Sequence, residues 1–319
     1  MEKHQFETAV AFFIFNRPGT TKIVFDEIRK IKPKKLFVIA DGPRNDKPGE
    51  IEKCIETRKI IDTIDWDCEI HKNYSEENLG CKIRISSGIS WVFGYVEEAI
   101  ILEDDCVPDL SFFPFCETLL KKYSDDKRIM MISGSNLLFD SDIVNESYYF
   151  SQYYPIWGWA TWKRAWKLYD IKMSKWPEFK RDKILGSIYS NRLFIHYIER
   201  ILDDVFADKD DTWDAQWFFS CLVQRGLCIS PAKNLIKNIG VKGTRPQQKK
   251  LLGCKIYSVN LNIVQDPDIF EINPHYQDFE LKALLRMADY SYLKYFIVKL
   301  LKIMHIFGPV EKLYLKHKS

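Results

Sequence analysis

The chain has 319 residues, 46% of them hydrophobic and 14% aromatic, enough to bury a large core as one big domain or as one domain with an appendage. Its 47 Lys and Arg against 44 Asp and Glu leave a net charge of +3 spread along the sequence, which argues against a nucleic-acid partner. The eight cysteines form no C-x-x-C pair and several sit in apolar runs, so reduced thiols in a cytoplasmic protein fit better than a disulfide frame or a zinc site.

In chain order, "TAVAFFIFN" (8–16) reads as a strand. No basic segment precedes it, which separates it from a signal peptide, and no run in the chain is apolar for long enough to cross a bilayer. A helical "TTKIVFDEIRKI" (20–31) follows, then a strand "KKLFVIADG" (34–42), a helix "GEIEKCIETRKIIDTI" (49–64), a strand "DCEIHKN" (67–73), a helix "CKIRISSGISWVFGYV" (81–96) and a strand "AIILEDD" (99–105). That alternation predicts an α/β fold with a mostly parallel sheet and crossover helices. Ligands of such sheets bind beyond the carboxyl ends of the strands. Here those ends carry Asn16-Arg17, Asp41-Gly42 and Glu103-Asp104-Asp105, so a basic group, an acid and an acidic cluster lie along one rim.

Three adjacent carboxylates repel one another unless a cation or a set of donors compensates. Hard Mg²⁺ or Mn²⁺ suits such a place, since these ions take one or two carboxylates together with water and phosphate oxygens. A solvated acidic loop is the plain alternative. The direct junction with "AIIL" favours a site at the strand's end.

In this order, "VAFFIFNRP", "FVIADGPRN", "NLGCKIRISSGISWVF" and "AIILEDDCVPDLSFFPF" resemble the GT-A glycosyltransferases that use nucleotide-diphospho-sugars. The likeness is to the animal N-acetylglucosaminyltransferase that begins hybrid N-glycan formation and to bacterial surface-glycan sugar transferases. It continues through "RIMMISGSN" (128–136), "YYPIWGWATWKRAW" (153–166), "TWDAQWFF" (212–219) and "NIGVKGTRP" (238–246), covering most of residues 8–250. The resemblance implies a GT-A fold with a nucleotide-sugar-binding half (1–115), an acceptor-binding and catalytic half of the same domain (116–275) and an amphipathic helical tail (276–319). It also implies a metal-dependent, inverting transfer from a nucleotide diphosphate donor, a UDP-sugar by preference, to a hydroxyl of a glycan or lipid-linked acceptor.

By that resemblance Asp105 ligates Mn²⁺ or Mg²⁺, Asp104 lies near the ribose or a metal-bound water, and Glu103 lies near the donor sugar. Asp41 accepts from the base, with Asn16 and Arg17 beside it or the phosphates, and Arg84 faces the nucleotide. A turn role for Asp41 in Asp-Gly-Pro and a solvent-facing Arg84 are the bland readings. Asp214, between Trp213 and Trp217, is the expected base that takes the proton of the attacking hydroxyl. A helix-capping acid is the alternative, with Asp210 and Asp211 equally eligible. The resembled family carries two adjacent acids where this chain has Asp214-Ala215.

Trp157 and Trp159 are candidates for a wall against which a sugar ring stacks, while Trp162 and Trp166 read as core. "NIGVKGTRP" supplies two glycines and two cations, so Lys242 or Arg245 would meet the diphosphate from a lid; a plain surface turn is the alternative. Residues 292–307, drawn as a helix, put Lys294, Lys302 and His305 on a narrow polar wedge beside a wide apolar arc. Such a helix either lies peripherally on the inner face of the cell membrane or packs on protein. Two other function classes fit parts of the pattern: a non-catalytic carbohydrate-binding relative, and a nucleotidyltransferase, for whose glycine-rich phosphate loop "NRPGTTK" is a poor match.

Overall fold

The computed structural model describes residues 6–138, 143–240, 265–267 and 269–288. The first stretch builds β1 (Val10–Ile14), α1 (Pro18–Ile31), β2 (Lys35–Ala40), α2 (Glu50–Ile61), β3 (Glu69–Tyr74), α3 (Gly80–Val92) and β4 (Glu98–Glu103). Each follows a predicted element; most ends are trimmed, while α1, α3 and β4 begin slightly earlier and β3 ends one residue later than the sequence predicts. After the acids come β5 (Cys106–Pro108), α4 (Phe112–Lys122), β6 (Ile129–Ser133), β7 (Tyr148–Ser151), β8 (Trp159–Trp162) and α5 (Lys163–Trp166). Then follow α6 (Trp176–Arg181), α7 (Leu185–Ile188), α8 (Arg192–Phe206), α9 (Asp214–Val223), β9 (Leu227–Pro231), β10 (Ile236–Asn238) and α10 (Pro274–Met287).

Eight strands form one sheet in the order β3-β2-β1-β4-β8-β6-β9-β7. Six run the same way and only β8 and β7 oppose them, so the sheet is mostly parallel. The chain winds outward from β1 to β2 and β3, then returns to the other side of β1 to lay down β4. The strand order therefore reverses between β1 and β4, the place where an open parallel sheet leaves a crevice for a ligand. The sheet runs unbroken across residue 115, since β4 pairs with β8.

The period-2 alternation of the strands splits the core in two. Val10, Phe12, Ile14, Leu36, Val38, Ile100 and Leu102 face α1 and α4. Ala11, Phe13, Phe37, Ile39, Ala99 and Ile101 face α3, α8 and α9. Both faces are covered, so the central strands read as continuous apolar runs. Helix α1 shows how its sequence makes it: Pro18 stands in its first turn, Thr21, Val24, Phe25 and Ile28 form the buried stripe, and Lys32 ends it in the left-handed region at φ 54°.

The seven described cysteines are free thiols, and no described helix is long and apolar enough to cross a membrane. The amphipathic reading of 292–307, like Lys242 and Arg245, lies outside the described residues.

Candidate functional site

The switch point between β1 and β4 is where charge collects. Arg17, immediately ahead of α1, sets one guanidinium nitrogen 2.5 Å from Asp104 and the other 2.8 Å from Asp105. Asp104 is nearly inaccessible. It also accepts from the Phe15 backbone N–H and, at 3.4 Å, from the Thr21 hydroxyl. Burial raises its carboxyl to about 6, with Arg17 opposing the shift. Arg17 is itself held above its ordinary value; burial works against its charge, but Asp104 and Asp105 outweigh it. Burial, followed by the charges of Asp105 and Asp104, raises the half-buried Glu103 well above the carboxylate range.

A second layer comes from far along the chain. Strand β10 pairs antiparallel with β5, directly behind the acids. The Ile239 N–H donates to the Asp105 carbonyl at 2.8 Å, the Asn238 amide reaches the Asp105 carboxylate at 3.5 Å, and Asn238 accepts from the Gly240 N–H at 2.9 Å. A Cβ on Gly240 would stand 2.2 Å from an Asp105 oxygen, so only glycine lets the backbone pass this close. Gly158, at φ 59°, is similarly constrained: a Cβ there would meet Ile236 Cδ1 at 2.4 Å, and its N–H points to the Cys106 sulfur. The start of the glycine-bearing loop and the aromatic segment thus both meet the acidic motif.

Asp41 is fully engaged. Its carboxylate accepts from the backbone N–H groups of Gly42, Leu79 and Gly80 and from the Asn78 amide, which ties the end of β2 to the entrance of α3. Burial raises its pKa while the Leu79 and Gly42 donors lower it. Arg84 is buried rather than solvent-facing and donates to the backbone and side-chain oxygens of Asn73.

Asp214 is the first residue of α9 and accepts from the Thr212 hydroxyl, with the helix dipole favouring its charge. Its charge contributes to raising Glu103. The same neighbourhood acts on Cys81, whose thiol is pushed up to about 12 by desolvation and then by Glu103, Asp214, Asp211 and Asp41. Glu103 and Asp214 therefore lie near enough for their charges to act on one another and on Cys81. Asp211 is otherwise employed, accepting from the Cys81 and Lys82 N–H groups at 2.8 and 3.0 Å and so capping α3. Asp210 is exposed.

The N-terminus of α9 is clamped by aromatic packing. Trp159 stacks on Trp213 with ring centroids 5.6 Å apart, and Trp217 packs on Trp166 at 5.2 Å. Trp159 is 1% exposed, so it belongs to this core and presents no face to a sugar. Trp157 is half-buried on the opposite side of the sheet.

Glu50 has a role that the sequence did not suggest. Buried at the start of α2, it accepts from the Arg44 backbone and guanidinium at 2.6 Å each and from the Asn16 amide at 2.7 Å, and Arg44 chiefly holds its carboxyl down at about 2. Arg44 lies over the Phe15 ring at 5.7 Å. This clamp joins the β1–α1 and β2–α2 loops beside Arg17. "GE" opening a helix was the only local signal for it; Asn238 was visible only as part of the loop motif.

A divalent cation suits the chemistry at Asp105, where hard carboxylate oxygens carry more negative charge than Arg17 offsets. Among the described residues no three His, Cys, Asp or Glu side chains converge on one point. A cation here would rely on Asp105 together with phosphate oxygens and water.

No protein-family model and no curated protein matches the sequence. Among solved structures, an active-site mutant of LgtC matches at 9% identity and TM-score 0.34, covering 54% of this chain, and this chain spans 65% of its length. UTP-bound UGPase from Acinetobacter baumannii matches at 9% identity and TM-score 0.38, over 74% of this chain and 90% of that one. The apo form of mouse xyloside xylosyltransferase 1 matches at 8% identity and TM-score 0.33, over 68% and 81%. All three are distant likenesses.

Proposed function

We propose that the chain is a glycosyltransferase that moves a sugar, with inversion, from a nucleotide diphosphate donor, a UDP-sugar by preference, to a hydroxyl of a glycan or lipid-linked acceptor. Two features support this reading: the acids that end β4 lie at the strand-order reversal, and the charge of Asp214 at the head of α9 reaches Glu103. A carboxylate base for the incoming hydroxyl and positive charge held against the departing diphosphate are what a single displacement needs.

In that displacement the acceptor oxygen bonds to the anomeric carbon while Asp214 takes its proton. The bond from the anomeric carbon to the β-phosphate oxygen breaks, and its electron pair leaves with the diphosphate. Attack and departure on opposite faces give inversion. A bound Mn²⁺ or Mg²⁺, with Asp105 as its carboxylate, would offset the charge on the departing diphosphate. Arg17 supplies fixed positive charge on the same side, and the Glu50 clamp holds the loop that bears it.

The test is a hydrolysis and transfer screen over nucleotide sugars, with and without Mn²⁺. Release of a nucleoside diphosphate from one sugar class, stimulated by Mn²⁺, is the expected result. Release of inorganic pyrophosphate from a nucleoside triphosphate and a sugar phosphate would instead make the protein a nucleotidyltransferase. No turnover of any donor, with retained sugar binding, would make it a non-catalytic relative.

A further inference from the structure

We propose that Asp211 is a positioning residue for Asp214: by capping α3 it fixes where the head of α9, and with it the Asp214 carboxylate, stands relative to the parallel half of the sheet. This rests on Asp214 being the base proposed above.

Helix α3 is the fixed end of the connection. It lies so close on β1 and β2 that a Cβ on Gly88 would stand 2.6 Å from Phe13 Cε1 and 2.8 Å from Ile39 Cγ2, and its Ser90 hydroxyl accepts from the Trp166 indole at 2.9 Å. Its N-terminus does not cap itself, because Leu79 at the N-cap position has no side-chain acceptor. The first N–H groups of a helix need partners from elsewhere, and two acids supply them. The Leu79 and Gly80 N–H groups donate to Asp41 at 2.9 and 3.2 Å. The Cys81 and Lys82 N–H groups donate to the two oxygens of Asp211 at 2.8 and 3.0 Å, from 130 and 129 positions away. Gly80 makes the approach possible: its φ is +76°, and a Cβ there would stand 2.7 Å from an Asp211 oxygen.

The three residues from Asp211 to Asp214 leave little slack. The Thr212 hydroxyl donates to the Asp214 carboxylate. Trp213 stacks on Trp159 with centroids 5.6 Å apart, and its carbonyl accepts from the Tyr169 hydroxyl at 3.2 Å. Ahead of this segment the chain is exposed from 206 to 211, so an anchor at Asp211 decides where the ordered part begins. A second tie to α3, Lys82 to Asp208 at 2.7 Å, is exposed on its Asp208 side, and such pairs hold little. A base must sit within hydrogen-bond reach of the proton it takes, and misplacing it by about 1 Å can cost on the order of 10²-fold in rate. The Asp211 cap therefore bears on turnover through the place it gives Asp214.

The measurement is UDP release from the UDP-sugar that the donor screen selects, on the full chain with Asp211→Asn, Asp214→Asn and both together, with melting curves confirming folded protein. Asp211→Asn keeps the length but removes the charge and one of the two acceptors, so kcat should fall roughly tenfold or more with the donor KM unchanged. On top of Asp214→Asn the same change should cost nothing further, because a residue that acts through Asp214 then has nothing left to position. Asp211→Glu keeps the charge and both acceptors but is one methylene longer; it should show the same pattern, and serves if the asparagine variant does not fold. An equal loss with and without Asp214 would overturn the positioning role and leave a structural cap. Alkylation of the exposed Cys81 by iodoacetamide, read by peptide mass spectrometry, checks the contact without any substrate. After desolvation, the charges of Glu103, Asp214 and Asp211 hold that thiol above its ordinary value, so Asp211→Asn should speed alkylation about three- to tenfold at pH 8. An unchanged rate would show that Asp211 does not hold α3 and would overturn the proposal alone. Faster alkylation with no turnover of any donor would instead overturn the transferase reading, and the role of Asp211 with it.

Discussion

Replacing Glu280 by glutamine should remove a pH-dependent weakness that burial builds into the fold. Glu280 on α10 is 1% exposed and accepts from the Ser151 hydroxyl at 2.8 Å and the Tyr149 hydroxyl at 3.0 Å, both on β7. Burial raises its carboxyl from 4.5 to about 8, and the two hydroxyl donors only partly oppose the shift. Between those values the folded state holds a proton that the unfolded chain has released. Stability is therefore complete below pH 4.5, falls as pH rises, and stops falling above about pH 8. At about 1.4 kcal/mol per pH unit the loss is on the order of 3–5 kcal/mol, a large part of the stability of an ordinary domain. Glutamine keeps the size and an acceptor oxygen but cannot ionise. Urea unfolding at pH 5, 7 and 9 should show the variant within about 1 kcal/mol of the unsubstituted protein at pH 5 and more stable by on the order of 3–5 kcal/mol at pH 9. A difference between the two proteins that stays constant with pH would refute the reasoning.

Asp214→Asn keeps shape but removes the basic site, so turnover should fall by roughly 10²-fold or more while UDP affinity measured by calorimetry stays put. Near-normal turnover with lost UDP binding would place the base elsewhere, and exposed Asp210 would be next, since Asp211 is committed to α3. Glu50→Gln removes the charge that gathers Arg44 and Asn16; nucleotide affinity should drop by about tenfold, the cost of one weakened charge-assisted contact. Calorimetry with UDP that shows no change would mean the clamp plays no part in holding the nucleotide loop.

The sequence by itself determined the local frame. Apolar runs alternating with helical periods were enough to predict a mostly parallel sheet, and "AIIL" running straight into three acids located the charge at the end of β4. Such signals are short-range, because a strand's period and the residues that stop it lie within a few positions of one another. The tertiary structure decided what each polar group is bonded to. Asp41 looked available to a base, yet its carboxylate takes its donors from Asn78, Leu79 and Gly80 as well as from Gly42. Trp159 looked like a wall for a sugar until Trp213 and Trp217 covered it from another part of the chain. Arg17 meets Asp105 from 88 positions away, and Asn238 reaches Asp105 across 133. No local pattern encodes those meetings. They follow from the strand order, which turns back at β1 and β4, and from burial, which depends on every neighbour at once and so belongs to the packed chain rather than to any stretch of it.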